Sequence, residues 1–121
     1  MKPHFTLSKS KLASQLKILT DLNLTISYSY KTNRQIGNII QETSPTTFFS
    51  IHAREEIQMI KDKSKISFFT QAESVEELKE IIQTGIKTFV IDNKIDLTNL
   101  LQATKESNQK INISIRMKFQ E

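Results

Sequence analysis

Five short β-rich runs recur along the chain at intervals of about twenty residues, with a helical pattern between each run and the next. The runs are Ile26–Tyr30, Thr47–His52, Ile66–Thr70, Thr88–Asp92 and Ile111–Met117. The helical patterns between them are Gln35–Glu42, Arg54–Lys61, Val75–Thr84 and Lys94–Lys105. An opening helix over about residues 9–22 is set by Leu12, Leu16 and Leu19 at i, i+4 and i+7, with Ser8 and Ser10 placed to cap it. Strict βαβα alternation leads to a parallel sheet covered by helices. The best-marked helix is the third of the four. Ser74 and Glu77 form a capping box, Leu78, Ile81 and Ile82 form the apolar stripe, and Gly85 stops it. No linker or low-complexity tract divides the chain, so residues 1–121 read as one domain.

Within the first run, bulky and small residues alternate from Ile26 to Lys31. In a strand this period places Ile26, Tyr28 and Tyr30 on one face and Ser27, Ser29 and Lys31 on the other. The last run repeats the pattern, with Ile111, Ile113 and Ile115 opposed to Asn112, Ser114 and Arg116. Two strands thus carry a small polar face that ends in one basic residue. An open doubly wound sheet buries both faces of its central strands and reads as near-continuous apolar sequence. A polar inner face fits a (β/α) barrel of the TIM type, incomplete here with about five strands and an N-terminal helix. Active sites of such barrels lie at the carboxyl ends of the strands, where Lys31 and Arg116 would converge on one rim. Crowding on that inner face would favour the neutral, nucleophilic form of the Lys31 amine.

Length and composition narrow the chemistry. A chain of 121 residues can bury a real core. It has no cysteine, which excludes disulfides and cysteine-ligated metals. No apolar run reaches membrane-span length and residues 1–20 lack a signal-peptide core, so a cytoplasmic protein with no membrane partner is expected. The formal charge of +4 comes from scattered lysines, many accompanied by glutamate as in Glu76-Glu77-Leu78-Lys79-Glu80, and no recognition motif accompanies them. A nucleic-acid partner is not expected. Neither G-x-S-x-G, H-E-x-x-H nor a P-loop occurs, and the two glycines, Gly37 and Gly85, are too few for a glycine-built phosphate cradle.

Tyr28-Ser29-Tyr30-Lys31-Thr32-Asn33 resembles the Y-x-x-K-x-N segment of the pyridoxal-phosphate-dependent decarboxylases of the alanine-racemase fold, the ornithine, diaminopimelate, arginine and carboxynorspermidine decarboxylase group. Pro3-His4-Phe5 is similar to the Pro-aromatic segment that opens the family's region. Phe48 to Ile57 is similar to its second strand and the glutamate-bearing helix after it. Ile66 to Leu78 resembles the strand leading into a Pro/Ser-x-Glu-Glu-Leu helix. Gly85 to Asn93 resembles the G-[VI]-x-x-F-[VT]-[VF]-D-[SN] strand, and Ile113 to Arg116 the L-x-[LI]-R strand. The segments follow in order over nearly the whole chain.

The resemblance implies a carbon–carbon lyase of amino-acid and polyamine metabolism, acting on a basic or diamino acid. It implies that Lys31 carries pyridoxal 5'-phosphate as an internal aldimine and that Arg116 adds positive charge near the phosphate. The family's second-strand aspartate is replaced by Ser50, with His52 two residues on along the same face and in reach of the cofactor. Asp92 is expected to fix a turn or cap the helix near Lys94, and His4 carries no information. The family's glycine-rich phosphate loop, the acid facing the pyridinium nitrogen and the C-terminal β-domain have no counterpart in these residues. The chain is therefore expected to be the N-terminal portion of such a decarboxylase, joined by a complementary half or by copies of itself. The alternatives are a non-catalytic module that binds pyridoxal phosphate or a protein, and a flavodoxin-like interaction domain.

Overall fold

The computed structural model describes residues 8–119. Pro3 and His4 lie outside the described residues. Helix α1 (Lys9–Asp21) precedes β1 (Ser27–Ser29), α2 (Arg34–Thr43), β2 (Phe48–Ile51), α3 (Arg54–Ile57), β3 (Ile66–Phe69), α4 (Val75–Gln83), β4 (Thr88–Ile91), α5 (Lys94–Ser107) and β5 (Asn112–Ile115). The five strands form one sheet in the order β1-β2-β3-β4-β5, every pair parallel. The α/β alternation read from the sequence is present. No helix among the described residues is long and apolar enough to cross a membrane.

Caps explain most of the helix boundaries. The Ser8 hydroxyl accepts from the Lys11 N–H, and the Asn33 side chain from the Ile36 N–H. Ser74 and Glu77 exchange both bonds of the capping box, and Gly85 leaves α4 at φ +105°, where a side chain would be strained. At α5 the cap is Asn93 rather than Asp92. The Asn93 side chain accepts from the Asp96 N–H at 2.8 Å, while Asp92 accepts from the Asn93 amide at 2.9 Å and holds the cap in place.

The helix expected over Arg54–Lys61 shrinks to one turn, Arg54–Ile57. The next N–H groups, of Met59 and Ile60, bond back three residues to Glu56 and Ile57, tightening the chain so that Ile60 drops into the core. The Lys63 ammonium then closes the end by donating to the carbonyls of Ile57 and Ile60.

The sheet has two unlike faces. In β2, β3 and β4 the fully buried residues all share one parity: Phe49 and Ile51, Ile66 and Phe68, Phe89 and Ile91. They pack with Ile40, Leu78, Ile81, Ile82 and Leu100 of the helices in a single core. The other parity holds Ser50, Ser67, Thr88, Phe69 and Val90, all half-buried. Across it Ser29 pairs with Ser50, Ser50 with Ser67, and Ser67 with Thr88, a row of hydroxyl side chains on the face away from the helical core.

Candidate functional site

Lys31 does not continue β1. The strand ends at Ser29 and residues Tyr30–Thr32 form a 3-10 turn, because the Tyr30 ring is drawn fully into the core. There it meets Phe49 edge-on at 6.5 Å between centroids, lies against Gly37 of α2, and donates its hydroxyl to Asn38 Oδ1 at 2.7 Å. The Tyr28 hydroxyl donates to the Asn33 carbonyl at 2.9 Å, tying the far end of the turn back to β1. Burial pushes the Tyr28 phenol above its ordinary range. Lys31 is left exposed on a turn pinned from both sides, so the crowded inner-face position expected from the alternation is corrected.

Directly after this turn Arg34 opens α2, and its Nε donates to Glu56 Oε2 at 3.1 Å. The Glu56 side chain is only 3 % exposed, whereas that of Arg34 is 62 % exposed. This pair, which the sequence reading did not single out, joins the Lys31 loop to α3. Its signal was an arginine two residues after Thr32 and a glutamate within the one-turn helix.

His52 follows β2 and stacks on Phe69 of β3, with centroids 4.3 Å apart and planes 19° from parallel. Its Nδ1 is buried and has no hydrogen-bond partner. Loss of water lowers the His52 pKa from its ordinary value; the Lys31 and Arg116 charges lower it further, against an opposing pull from Glu56. The imidazole lies within the electrostatic reach of both basic residues.

Arg116 stands one residue past β5, and its N–H prolongs the ladder to the Ile91 carbonyl at 2.7 Å. Its exposed side chain shares with His52, Phe69, Thr70, Val90 and Asp92 the wall of a cavity of about 80 Å³. A second, wider recess of about 400 Å³ lies among Asp92, Asn93, Arg116 and Lys118. Behind the first, the buried Asp96 carboxylate accepts from Thr70 Oγ1 at 3.2 Å and from the Asn93 amide at 2.9 Å, tying the ends of β3 and β4 together.

Lys31, His52 and Arg116 all stand past the carboxyl ends of their strands, but only His52 and Arg116 share a cavity. Lys31 follows β1 and Arg116 follows β5, the two edges of the sheet, so the convergence of these two on one rim is not seen. Ser50 does not join them, since its hydroxyl is hydrogen-bonded to that of Ser27 at 2.8 Å on the sheet face. Among the described residues no group of three histidine, aspartate or glutamate side chains is arranged to hold a metal ion. No protein-family model matches the chain, and no curated protein matches it.

Proposed function

We propose that the chain is the N-terminal barrel portion of a pyridoxal-phosphate-dependent amino-acid decarboxylase acting on a basic or diamino acid, with Lys31 as the cofactor-bearing residue. The observation that carries the reading is the placement of Lys31, His52 and Arg116 just past the carboxyl ends of β1, β2 and β5 of an all-parallel sheet. The consecutive strand order supports a barrel, because a doubly wound sheet reverses direction at a switch point and this one does not.

The residues present fit the cofactor. A primary amine stands exposed on a fixed turn, where an aldehyde can reach it. Arg116 and Lys118 flank a recess at the Asn93-capped start of α5, a place suited to a phosphate. The His52 Nδ1 is buried without a hydrogen-bond partner. When bound, the cofactor ring would accept the electron pair left as the substrate carboxylate departs as carbon dioxide.

This chain's own residues would then do three things. Lys31 would hold the cofactor carbonyl carbon covalently and yield it to the substrate amine. Arg116 would offset phosphate charge. His52, stacked on Phe69, would offer Nδ1 to a proton at the site.

The exposure of Lys31 favours a second reading, a module that carries pyridoxal phosphate without turning over a substrate. One experiment bears on both. The chain is mixed with pyridoxal phosphate, reduced with borohydride, and the adduct located by peptide mass spectrometry. A stoichiometric adduct on Lys31, lost in Lys31→Ala and kept in Lys87→Ala, is expected. Labelling spread over the surface lysines would sink both readings. Given the Lys31 adduct, release of carbon dioxide from ornithine, arginine or diaminopimelate separates the enzyme from the carrier.

A further inference from the structure

Arg34 is anchored at one edge of its guanidinium and open at the other. The hydrogen bond from Nε to Glu56 is the one its side chain makes among the described residues. A guanidinium carries five N–H donors in a planar fork, so the four on the two terminal nitrogens are left over. The other two arginines of the chain differ from it. Arg54 spends both terminal nitrogens on carboxylates, of Glu77 and Glu80, each at 2.8 Å. Arg116 is exposed and has no ion pair among the described residues, so nothing there fixes its side chain. Arg34 alone joins a buried carboxylate that sets its orientation to a fork edge left in solvent.

The fixed fork stands next to the amine already singled out. Arg34 follows Lys31 by three residues, and the backbone between them is held twice. The Tyr28 hydroxyl bonds the Asn33 carbonyl, and the Asn33 side chain caps the Ile36 N–H. The His52 imidazole feels both the Lys31 ammonium and the Glu56 carboxylate, so the Lys31 turn and the Arg34–Glu56 pair surround one histidine. Arg116 follows β5, at the opposite edge of the sheet from Lys31.

We infer that Arg34 binds the oxyanion, a carboxylate or a phosphate, of the carbonyl compound held at Lys31. The inference rests on the reading of Lys31 as the amine that takes up such a compound, and it adds the group that selects among them. With Nε on Glu56, the two terminal nitrogens still match the spacing of two oxyanion oxygens and form two parallel bonds. The first turn of the ten-residue α2 adds the positive end of its dipole at the same place. An uncharged aldehyde of similar shape leaves the fork in water and gains nothing from it.

The test sets two pairs of aldehydes against the full chain: pyridoxal phosphate with 5'-deoxypyridoxal, and glyoxylate with glycolaldehyde. Each loses its oxygen as water on condensing with a lysine amine, and borohydride delivers hydride to the resulting carbon–nitrogen double bond. Peptide mass spectrometry reads the extent at Lys31 relative to the exposed Lys87, which cancels the intrinsic reactivity of each reagent. That ratio should be about tenfold higher for the anionic member of at least one pair, and the pair that shows it identifies the group as phosphate or carboxylate. In Arg34→Gln the preference should vanish. Because that variant leaves Glu56 with a weaker partner, a second measurement uses the wild-type chain. Titrated with inorganic phosphate, the NMR signals of the Arg34 Nε–H and the Gln35 amide should shift to saturation, while the Lys87 amide stays in place. Equal ratios within both pairs would overturn the inference and leave the reading of Lys31 intact. A preference that Arg34→Gln keeps, or phosphate shifts no larger at Arg34 than at Lys87, would overturn it as well. A chain whose Lys31 takes no aldehyde while phosphate still saturates Arg34 would sink the Lys31 reading and leave the anion site standing.

Discussion

Replacing Gly37 by alanine tests the packing that holds the Lys31 turn. Gly37 sits inside α2, where alanine is ordinarily favoured over glycine by about 0.8–1.0 kcal/mol. Here an added Cβ would stand 2.6 Å from Cδ2 and 2.8 Å from Cε2 of Tyr30, and 3.3 Å from Cε1 of Tyr28. The Tyr30 ring has no room to retreat, being fully buried against Phe49 and held at its hydroxyl by Asn38. Over-packing of this kind costs about 1–3 kcal/mol, and losing the hydroxyl bond to Asn38 about 1 kcal/mol more. Set against the helix preference, the net expectation is a loss of about 1–3 kcal/mol. Urea denaturation followed by circular dichroism measures it. A double-mutant cycle isolates the contact, because in a Tyr30→Ala background Gly37→Ala should turn stabilising by up to about 1 kcal/mol. A stabilised Gly37→Ala single variant, or an effect equal in both backgrounds, would refute the reasoning.

Three further outcomes are expected. Arg34→Ala leaves the buried Glu56 carboxylate without its partner and should cost about 1–3 kcal/mol by urea denaturation, an amount that Arg34→Lys only partly recovers. Ser74→Ala removes the hydroxyl arm of the α4 capping box and should cost about 1 kcal/mol, with Thr at the same position restoring most of it. The His52 pKa is depressed in the folded chain, so the unfolded chain binds its proton more readily. Stability should fall as pH drops below about 6.5 toward the folded value, and the His52→Gln variant should flatten that limb of the profile; an NMR titration placing His52 at or above the ordinary histidine value would contradict the burial seen here.

What was legible in the sequence was local. The alternation of strands and helices, the Ser74–Glu77 box and the stop at Gly85 depend on neighbours a few residues apart, and the structure has them. In β2 to β4 buried residues alternate with half-buried ones, a period that the sequence reading applied only to the first and last runs. The misreadings came from partners that spacing does not reveal. β1 was read too long because the pull on Tyr30 comes from Gly37, Asn38 and Phe49. α3 was read too long because Lys63, beyond its end, supplies the carbonyl cap. Arg34 and Glu56 stand 22 positions apart, and their local signals do not reveal that the exposed arginine is the partner of the buried glutamate. Lys31 and Arg116 were expected to converge on one rim; each follows its strand's carboxyl end, but on opposite edges of the sheet, which residue spacing along single strands could not tell.

The parity split of the sheet also separates two kinds of evolutionary freedom. At Phe49, Ile51, Ile66, Phe68, Phe89 and Ile91, substitution is filtered by folding, since each change of volume is felt by the helices beyond. One residue away, at Ser50, Ser67, Thr88 and Val90, the same backbone can accept new side chains with little effect on whether the chain folds. A deep mutational scan for folded protein should look like a comb along each central strand, with intolerant teeth and permissive gaps. New chemistry could be written into the gaps by single-codon steps without disturbing the scaffold that carries it.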